Sequence, residues 1–312
     1  MRSSNLGFMK RLVFPVGALM LLLACGGRDV PTAPDQPPSP PPVPPPVTPP
    51  APDEVFVGAG DIGWCGADGR PNLTASLLDG ISGTVFTAGD NAYFSGSTED
   101  FRNCYEPSWG RHKVRTRPTP GNHEYETPGA LGYFAYFGAS AGPPGLGYYS
   151  YPLGAWHIIA LNSEISAFPG SAQLQWLRGD LTANRTLCTV AYFHTPVFGS
   201  GANGGNTHMQ AVWRVLYEFG VDVVVNGHNH SYERFAPQDP DGGSNPVRGI
   251  RQFIVGTGGA PLTDFPRIRP NSEIRSSTWG VLKLTLRSDR YEWEFVPVAG
   301  ASFSDSGSAT CH

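Results

Sequence analysis

The chain contains 312 residues and has a formal net charge of −4 at pH 7, with 40% hydrophobic and only 15% charged residues. Residues 1–24 carry three positive charges and no negative ones, so their removal would change the net charge from −4 to −7. An acidic chain of this kind argues against general binding to nucleic acids or anionic membranes, because both are negatively charged.

The N-terminal segment is typical of a secretory signal peptide over residues 1–24. Three basic residues precede an apolar run of 13 residues, 12–24, which is too short to span a bilayer as a helix. The run ends in Leu22-Leu23-Ala24-Cys25, which resembles a bacterial lipobox. We therefore expect cleavage before Cys25 and lipid attachment to its thiol. The alternative is ordinary signal cleavage, with Cys25 lost or without a role.

A proline-rich segment follows, in which 13 of the 22 residues from 31 to 52 are proline. At roughly 3.1 Å per residue, an extended polyproline chain of this length would hold the next domain about 70 Å from its anchor. A ligand for a proline-recognition module is the alternative. Residues 25–53 are therefore predicted to be the lipid-anchor cysteine and a linker, and residues 54–312 a single domain.

Apolar runs rich in β-branched residues predict buried strands over 55–57, 84–87, 189–193 and 221–225. Apolar residues at helical spacing predict helices over 73–78, 172–181 and 207–219. Strands and helices thus alternate, which is typical of an α/β fold.

Toward the C-terminus, apolar and polar residues alternate in 253–255, 280–286 and 291–296, which predicts antiparallel strands with one wet face. Residues 148–151 and 156–161 add another pair of strands. We predict a four-layer α/β sandwich, in which two mixed β-sheets pack face to face, helices lie outside, and a site lies along one edge.

Five short polar motifs recur in this segment, and most of them follow a predicted strand. They are Gly60-Asp61-Ile62-Gly63, Gly89-Asp90-Asn91-Ala92-Tyr93, Gly121-Asn122-His123-Glu124, Ala191-Tyr192-Phe193-His194 and Gly227-His228-Asn229-His230. Side chains placed directly after strands lie at the carboxyl edge of a sheet, where α/β folds form crevices. Their carboxylate, imidazole, amide and phenol donors suit Fe, Zn or Mn ions. Two such ions about 3.5–4 Å apart need a bridging anionic oxygen, which Asp90 would supply.

The order, spacing and residue types of these motifs resemble the calcineurin-like metallophosphoesterases, most closely the purple acid phosphatase branch. The resemblance spans about residues 54–300 and extends to His194-Thr195-Pro196 and Ser231-Tyr232-Glu233-Arg234-Phe235. It implies a cofactor of two metal ions, Fe(III) plus Zn, Mn or Fe(II). The implied ferric ligands are Asp61, Asp90, Tyr93 and His230. The implied ligands of the divalent ion are Asp90, Asn122, His194 and His228.

Individual residues keep alternative interpretations. A phenolate from Tyr93 would favour Fe(III) over Zn or Mn(II), whereas the alternative is an aromatic ring packed under the loop. The resemblance implies that Asn122 and His123 contact the phosphate and that His123 protonates the leaving oxygen. The alternative for His123 is a supporting hydrogen bond to Glu124. His208 lies where relatives place substrate-binding histidines, but an exposed histidine at a helix start is equally compatible with the sequence.

Four cysteines remain besides Cys25, an even number in a chain that we expect to be exported, so disulfides are predicted. Cys65 and Cys104 each follow a motif closely, and we expect them to pair. Cys188, at the start of a strand, would then join Cys311. Free or zinc-bound thiols are the alternative, although no pair has Cys-x-x-Cys spacing.

The resemblance implies metal-dependent hydrolysis of phosphate monoesters through a metal-bridging hydroxide, with Asp90 and His123 as catalytic residues. Phosphodiesterase or nucleotidase activity at the same site is one alternative, and a non-catalytic, metal-binding surface lipoprotein is another. We expect a bacterial cell-envelope lipoprotein, with the outer membrane favoured because Gly26 rather than Asp follows Cys25. The expected partners are a small phosphate ester and, through the lipid anchor only, a membrane. The sequence predicts no nucleic-acid partner and does not define the oligomeric state.

Overall fold

The structure, a computed structural model, describes residues 52–312. The predicted signal peptide, the predicted anchor Cys25 and all but the last two residues of the predicted linker lie outside these residues. Within the described part of the chain, none of the helices combines the length and apolar character needed to cross a bilayer.

Within residues 52–312, thirteen strands build two β-sheets. In chain order they are β1 (Glu54–Ala59), β2 (Thr84–Ala88), β3 (Thr116–Thr119), β4 (Tyr149–Leu153), β5 (Trp156–Ala160), β6 (Cys188–Tyr192), β7 (Val223–Asn226), β8 (Tyr232–Phe235), β9 (Arg251–Val255), β10 (Ser272–Ser276), β11 (Gly280–Leu286), β12 (Arg290–Pro297) and β13 (Asp305–Thr310). The first sheet has the order β13-β12-β11-β1-β2-β3, and the second has the order β10-β8-β9-β7-β6-β5-β4.

Both sheets are mixed. In the first, β1, β2 and β3 are parallel, and β11, β12 and β13 extend the sheet by antiparallel pairing. In the second, β5, β6, β7 and β9 are parallel, and β4, β8 and β10 are added antiparallel at the two sides. The parallel strands of each sheet therefore end along one edge, which places the loops that follow them together.

The inner faces of the two sheets pack on each other through large aromatic side chains. Phe56 of β1 meets Tyr192 of β6 with ring centroids 5.5 Å apart, and Tyr232 of β8 meets Phe295 of β12 at 4.5 Å. The buried Trp156 indole also donates a hydrogen bond of 2.6 Å to the Arg287 carbonyl, which joins the sheets at one end. These contacts confirm two sheets packed face to face.

In the described part of the chain, six α-helices lie among the strands: α1 (Pro71–Asp79), α2 (Thr98–Asp100), α3 (Asn122–Tyr125), α4 (Leu131–Phe137), α5 (Ala172–Ala183) and α6 (Gln210–Glu218). Short 3₁₀ turns occupy Trp109–Arg115, Pro128–Ala130, Gly138–Ala141 and Thr207–Met209, and a π-helical turn occupies Phe101–Tyr105.

Helices α5 and α6 cover the outer face of the second sheet. The leucines at 174, 177 and 181 recur at helical spacing and are buried, together with Val212 and Leu216 of α6. The Ser171 hydroxyl caps α5 by accepting a bond from the Leu174 amide at 3.3 Å. Helix α1 begins with Pro71. Its Ala75 and Leu78 belong to the hydrophobic cluster that includes β1 and β2 of the first sheet. The predicted four-layer α/β sandwich is therefore confirmed.

Some strands differ from the predictions. The β3 strand was not predicted because it contains Pro118, which a sheet accepts here because β3 is an edge strand. The 253–255 segment was predicted to be antiparallel with a wet face. It is buried in β9 instead, parallel to β7 and antiparallel to β8. The polar strands β10 and β13 were also missed, and each lies at the edge of its sheet.

Candidate metal centre

The loops after β1 and β2 turn sharply to present two aspartates. Asp61 and Asp90 both adopt left-handed backbone conformations, with φ of 59° and 48°, which few non-glycine residues adopt. The two loops stay hydrogen-bonded beyond the strands, because the Asp61 amide donates to the Gly89 carbonyl at 3.0 Å and the Ile62 amide donates to the Asp90 carbonyl at 2.9 Å. This pairing fixes the two carboxylates beside each other.

Glycine opens most of the motifs because the backbone passes close to the site. Gly89 has a φ of 78°, and a Cβ there would lie 2.5 Å from the imidazole of His194. A Cβ at Gly227 would lie 2.7 Å from Oδ2 of Asp61. A side chain at either position would therefore displace one of the polar residues that converge here.

One group of side chains surrounds the hydroxyl of Tyr93. This oxygen lies 3.0 Å from Oδ1 of Asp61, 3.1 Å from Oδ2 of Asp90 and 3.1 Å from Nε2 of His230. Nε2 of His230 is in turn 3.2 Å from Oδ1 of Asp61. The four side chains predicted to bind one cation therefore lie together, with the other three within hydrogen-bonding distance of the Tyr93 hydroxyl.

A second group surrounds the amide oxygen of Asn122, the first residue of α3. Oδ1 of Asn122 lies 3.1 Å from Nε2 of His194 and 3.0 Å from Nδ1 of His228. Nε2 of His194 is also 3.2 Å from Oδ2 of Asp90. Asp90 therefore belongs to both groups, as a bridging ligand would have to.

Backbone carbonyls orient two of the imidazoles. Nδ1 of His194 lies 2.8 Å from the Ala88 carbonyl oxygen, and Nδ1 of His230 lies 2.8 Å from that of Pro261. Because a carbonyl only accepts, these contacts place a proton on Nδ1 and turn the lone pair of Nε2 toward the site in the neutral ring. His228 is held differently, since its backbone amide donates to Oδ2 of Asp61 at 2.8 Å and its Nδ1 faces the site.

Burial and mutual charges shift the ionisation of this group strongly. Burial alone would raise the pKa of Asp90, but the His194 charge outweighs it and lowers that pKa well below its usual value. Burial opposes the charged form of His194, yet the Asp90 carboxylate raises the pKa of His194 to about 10. Burial, and then the His194 charge, lower the pKa of His228 to about 4. The Asp90 carboxylate and the charged form of His194 thus favour each other.

The phenol of Tyr93 follows the opposite trend. Burial, and then the carboxylates of Asp61 and Asp90, raise the pKa of Tyr93 well above its usual value near 10. A phenolate at this position would therefore require a nearby cation. The observed donor set fits that requirement, since two buried carboxylates, imidazoles and an amide oxygen suit Fe, Zn or Mn. In three of these residues, Asp61, Asp90 and His194, the ligand atoms all lie within 4.8 Å of one another.

Residues 55–232 match the family model described as calcineurin-like phosphoesterase. The chain belongs to this family.

Relatives of the phosphoesterase include purple acid phosphatases. It is 31% identical over 229 residues to probable purple acid phosphatase 20 of Arabidopsis thaliana, covering 62% of this chain and 52% of that one. It is 28% identical over 268 residues to acid phosphatase type 7 of Homo sapiens, covering 72% and 60%. The chain thus spans about half to three-fifths of the length of these curated relatives.

The fold is also shared with a purple acid phosphatase from yellow lupin (Lupinus luteus) seeds. That structure aligns with a TM-score of 0.67 at 18% identity, covering 83% of this chain and 54% of the lupin chain. The identification of the family from its motifs is therefore confirmed.

His123 of the phosphoesterase lies at the mouth of the site and is partly exposed. Its Nδ1 is 2.5 Å from the Phe94 carbonyl oxygen, and its Nε2 is 3.9 Å from Oδ2 of Asp90. Its backbone amide donates to Oδ1 of Asp90 at 3.0 Å. The alternative interpretation, a hydrogen bond from His123 to Glu124, does not describe this geometry.

Glu124 has a role that the sequence did not reveal. It is fully buried, and its carboxylate accepts bonds from the amides of Asn91 at 2.8 Å, Ala92 at 3.1 Å and Gly121 at 2.7 Å. Burial, and then the Asp90 charge, raise the pKa of Glu124 to about 8. This carboxylate joins the loop that carries Asp90 and Tyr93 to the loop that carries Asn122. An acid three residues after Gly121, in capping position at a helix start, was the only signal for it.

His208 is not among the residues that the structure brings together. Its Nε2 lies 2.9 Å from the Ile165 carbonyl, and its ring packs edge-on against Phe168 at 5.6 Å. None of the hydrogen bonds described for this side chain involves a residue of the metal site. Its assignment to substrate binding stays a prediction.

Among residues 52–312 of the phosphoesterase, two disulfides brace the fold. Cys65 is joined to Cys104, 39 residues away, and Cys188 is joined to Cys311, 123 residues away. This is the pairing predicted from the sequence. The first disulfide ties the loop that follows Asp61 to the π-helical turn that follows Tyr93. The second ties the start of β6 in one sheet to the residue after β13 in the other.

Proposed function

We propose that this phosphoesterase hydrolyses phosphate monoesters at a centre of two metal ions, Fe(III) and a divalent Zn, Mn or Fe ion. The observation that carries the proposal is the convergence of seven donor side chains from five separate loops. The hydroxyl of Tyr93 lies within 3.0–3.1 Å of Asp61, Asp90 and His230. This phenol distinguishes the site from a cluster made of carboxylates and imidazoles alone. The similarity to purple acid phosphatases supports the same assignment.

The two groups of side chains would each hold one cation, with Asp90 shared. Asp61, Asp90, Tyr93 and His230 would hold Fe(III), because a phenolate is a hard anionic donor. Asp90, Asn122, His194 and His228 would hold the divalent ion. When bound, the two cations would lower the pKa of coordinated water toward neutrality and offset the negative charge of a phosphate group.

The residues of this chain set the charge of the site. Asp61, Asp90 and a Tyr93 phenolate contribute three negative charges, while the imidazoles and the Asn122 amide contribute none in their metal-binding forms. Fe(III) with a divalent ion carries five positive charges, so the pocket keeps a positive balance on an acidic protein. The positive charge that would attract a phosphate group is therefore confined to this site.

His123 would act on the leaving group. The Phe94 carbonyl accepts from Nδ1 and fixes the ring, so in the protonated imidazole Nε2 is the donor turned toward the site. From there it can bind a phosphate oxygen or deliver its proton to the departing alkoxide. Asn122 would share the phosphate contact. We also propose His208 for substrate binding, which would require its imidazole to leave the Ile165 carbonyl.

The proposal is tested with metal-replete protein on p-nitrophenyl phosphate and on its bis ester, beside an Asp90→Ala control. We expect hydrolysis of the monoester, with the control at background. Faster hydrolysis of the bis ester would establish a phosphodiesterase instead. Failure on both substrates would favour the non-catalytic, metal-binding alternative.

We also propose that the protein is exported and anchored through a lipid on Cys25. Two disulfides among the described residues support an oxidising compartment. Labelling with a palmitate analogue in a bacterial host tests the anchor. The full-length protein should take up label and partition with membranes, and Cys25→Ser should do neither. Equal labelling of both would show that Cys25 is not the attachment site.

A further inference from the structure

Two aromatic side chains form a small platform beside the candidate metal centre. Phe94 directly follows Tyr93, and its side chain is 59% exposed. Trp64, three residues after Asp61, packs edge-on against Phe94 with ring centroids 4.6 Å apart and against Tyr93 at 5.1 Å. We call Trp64 and Phe94 the aromatic platform. It places an apolar surface beside a group of side chains that are otherwise polar.

The backbone that carries this platform is fixed on both sides. The Phe94 carbonyl accepts from Nδ1 of His123, and the next residue, Ser95, donates its amide to Oδ2 of Asp100 at 3.0 Å. The Trp64 indole donates to Oδ1 of Asp68 at 2.8 Å. The residue after Trp64 is Cys65, which is held by its disulfide to Cys104. The platform is therefore already in place before any ligand arrives, which reduces the entropy lost on binding.

The position of Phe94 distinguishes it from other exposed apolar residues. Single exposed side chains of this kind are ordinary on protein surfaces. Phe94, however, supplies the carbonyl that orients His123, and the Tyr93 ring lies 6.4 Å from the Phe94 ring and 4.4 Å from the His123 ring. The platform thus adjoins both a proposed metal ligand and the proposed proton donor.

We infer that the aromatic platform binds the ring of an aryl phosphate, and that Phe94 is a specificity-determining residue favouring aryl over alkyl monoesters. The inference rests on the proposed function. His123 must come within hydrogen-bonding distance of the leaving oxygen in order to protonate it. In an aryl ester the ring is bonded directly to that oxygen, so it stays close to His123, whose Nδ1 contacts the Phe94 carbonyl and whose ring lies 4.4 Å from that of Tyr93. In a nucleotide, the ribose holds the aromatic base farther away.

The test compares kcat/KM for phenyl phosphate, glycerol 2-phosphate and 5′-AMP in wild type, Phe94→Ala, Phe94→Leu and Phe94→Tyr. An aromatic contact contributes about 0.5–1.5 kcal/mol, so Phe94→Ala should lower kcat/KM for phenyl phosphate by about 2- to 12-fold. Glycerol 2-phosphate should be hydrolysed as before. Phe94→Tyr should retain the preference, and Phe94→Leu should lose it while keeping apolar volume. Val114→Ala, at a surface position that is 91% exposed, is the control and should change nothing.

A second readout does not depend on turnover. Calorimetric binding of phenylphosphonate should weaken in Phe94→Ala by the same factor, while binding of methylphosphonate should not change. Because Phe94→Tyr keeps the ring that packs against Trp64, its melting temperature should match that of wild type.

Different failures have different meanings. Equal losses on phenyl phosphate and glycerol 2-phosphate would overturn the inference, as would a loss confined to 5′-AMP, which would assign the platform to a nucleobase. If wild type hydrolyses no ester above Asp90→Ala, the proposed function fails. The inference about aryl esters fails with it, even if phenylphosphonate still binds to the platform.

Discussion

Replacing Glu124 by glutamine should destabilise the protein by several kcal/mol, although the change is nearly isosteric. One carboxylate oxygen of Glu124 accepts from the amides of Asn91 and Ala92, and the other accepts from the Gly121 amide at 2.7 Å and from Nδ2 of Asn91 at 3.3 Å. Glutamine keeps one of these oxygens and replaces the other with an NH₂ group. Whichever way its amide turns, two donors next to this fully buried side chain lose their acceptor and face another donor.

Each buried donor left without an acceptor costs about 1–3 kcal/mol, so Glu124→Gln, which leaves two, should lose about 2–6 kcal/mol of unfolding free energy. Urea denaturation after chelation of metals, at a pH above the Glu124 pKa of about 8 so that Glu124 is an ionised carboxylate, measures this. Chelation is needed because bound metal would otherwise add its own stabilisation. The control is Glu126→Gln, two residues away and exposed, which should stay within about 0.5 kcal/mol of wild type. A Glu124→Gln variant as stable as this control would refute the view that the carboxylate joins the two loops.

Three further predictions concern the colour of the site, the loop beside it and the longer disulfide. With iron bound, Tyr93→Phe should lose the visible phenolate-to-iron absorption band, and a band that persists would contradict the assignment of Tyr93. Burial opposes ionisation of Asp100, but bonds from Ser95 and its neighbours outweigh this and lower the pKa of Asp100. Since the folded pKa lies below the unfolded value near 3.9, this stabilisation is present above about pH 4 and is lost as the pH falls further. The difference in urea midpoint between wild type and Asp100→Ala should therefore narrow below pH 4, and a constant difference would contradict it. The double variant Cys188→Ser, Cys311→Ser removes a disulfide between residues 123 positions apart, so it should lose about 2–5 kcal/mol of unfolding free energy. A calorimetric melting temperature equal to that of wild type would argue against this.

The site was largely predictable from the sequence because its motifs are local. Each proposed ligand follows a strand by a few residues, and parallel strands in one sheet must end at the same edge, so convergence followed from the strand pattern. The left-handed conformations of Asp61, Asp90 and His228 were not anticipated, although the flanking glycines indicated tight turns.

What the sequence did not reveal depends on contacts between distant segments. Glu124 is bound by backbone amides 32 and 33 residues away, and backbone donors leave no pattern in the side chains. The contact of His123 with the Phe94 carbonyl was missed for the same reason. The contact of His208 with the Ile165 carbonyl, 43 residues away in the chain, was not foreseen either.

The edge strands were difficult to predict for a different reason. An edge strand pairs on one side only, so it needs neither a continuous apolar run nor every backbone donor. Pro118 in β3 and the polar sequence of β13 are therefore compatible with the sheet but lack the pattern of a buried strand. The central strands β2, β6 and β7 have that pattern and were predicted to within two residues at each end.

Elemental analysis of the purified protein, with phosphatase activity measured before and after chelation, tests the central claim most directly. The account predicts two metal ions per chain, one of them iron, with activity that is lost on chelation and restored by adding the metals back. Asp90→Ala should bind fewer than two, because Asp90 belongs to both groups of ligands. A protein that holds no metal after exposure to iron and zinc, or that keeps full activity after chelation, would contradict the account.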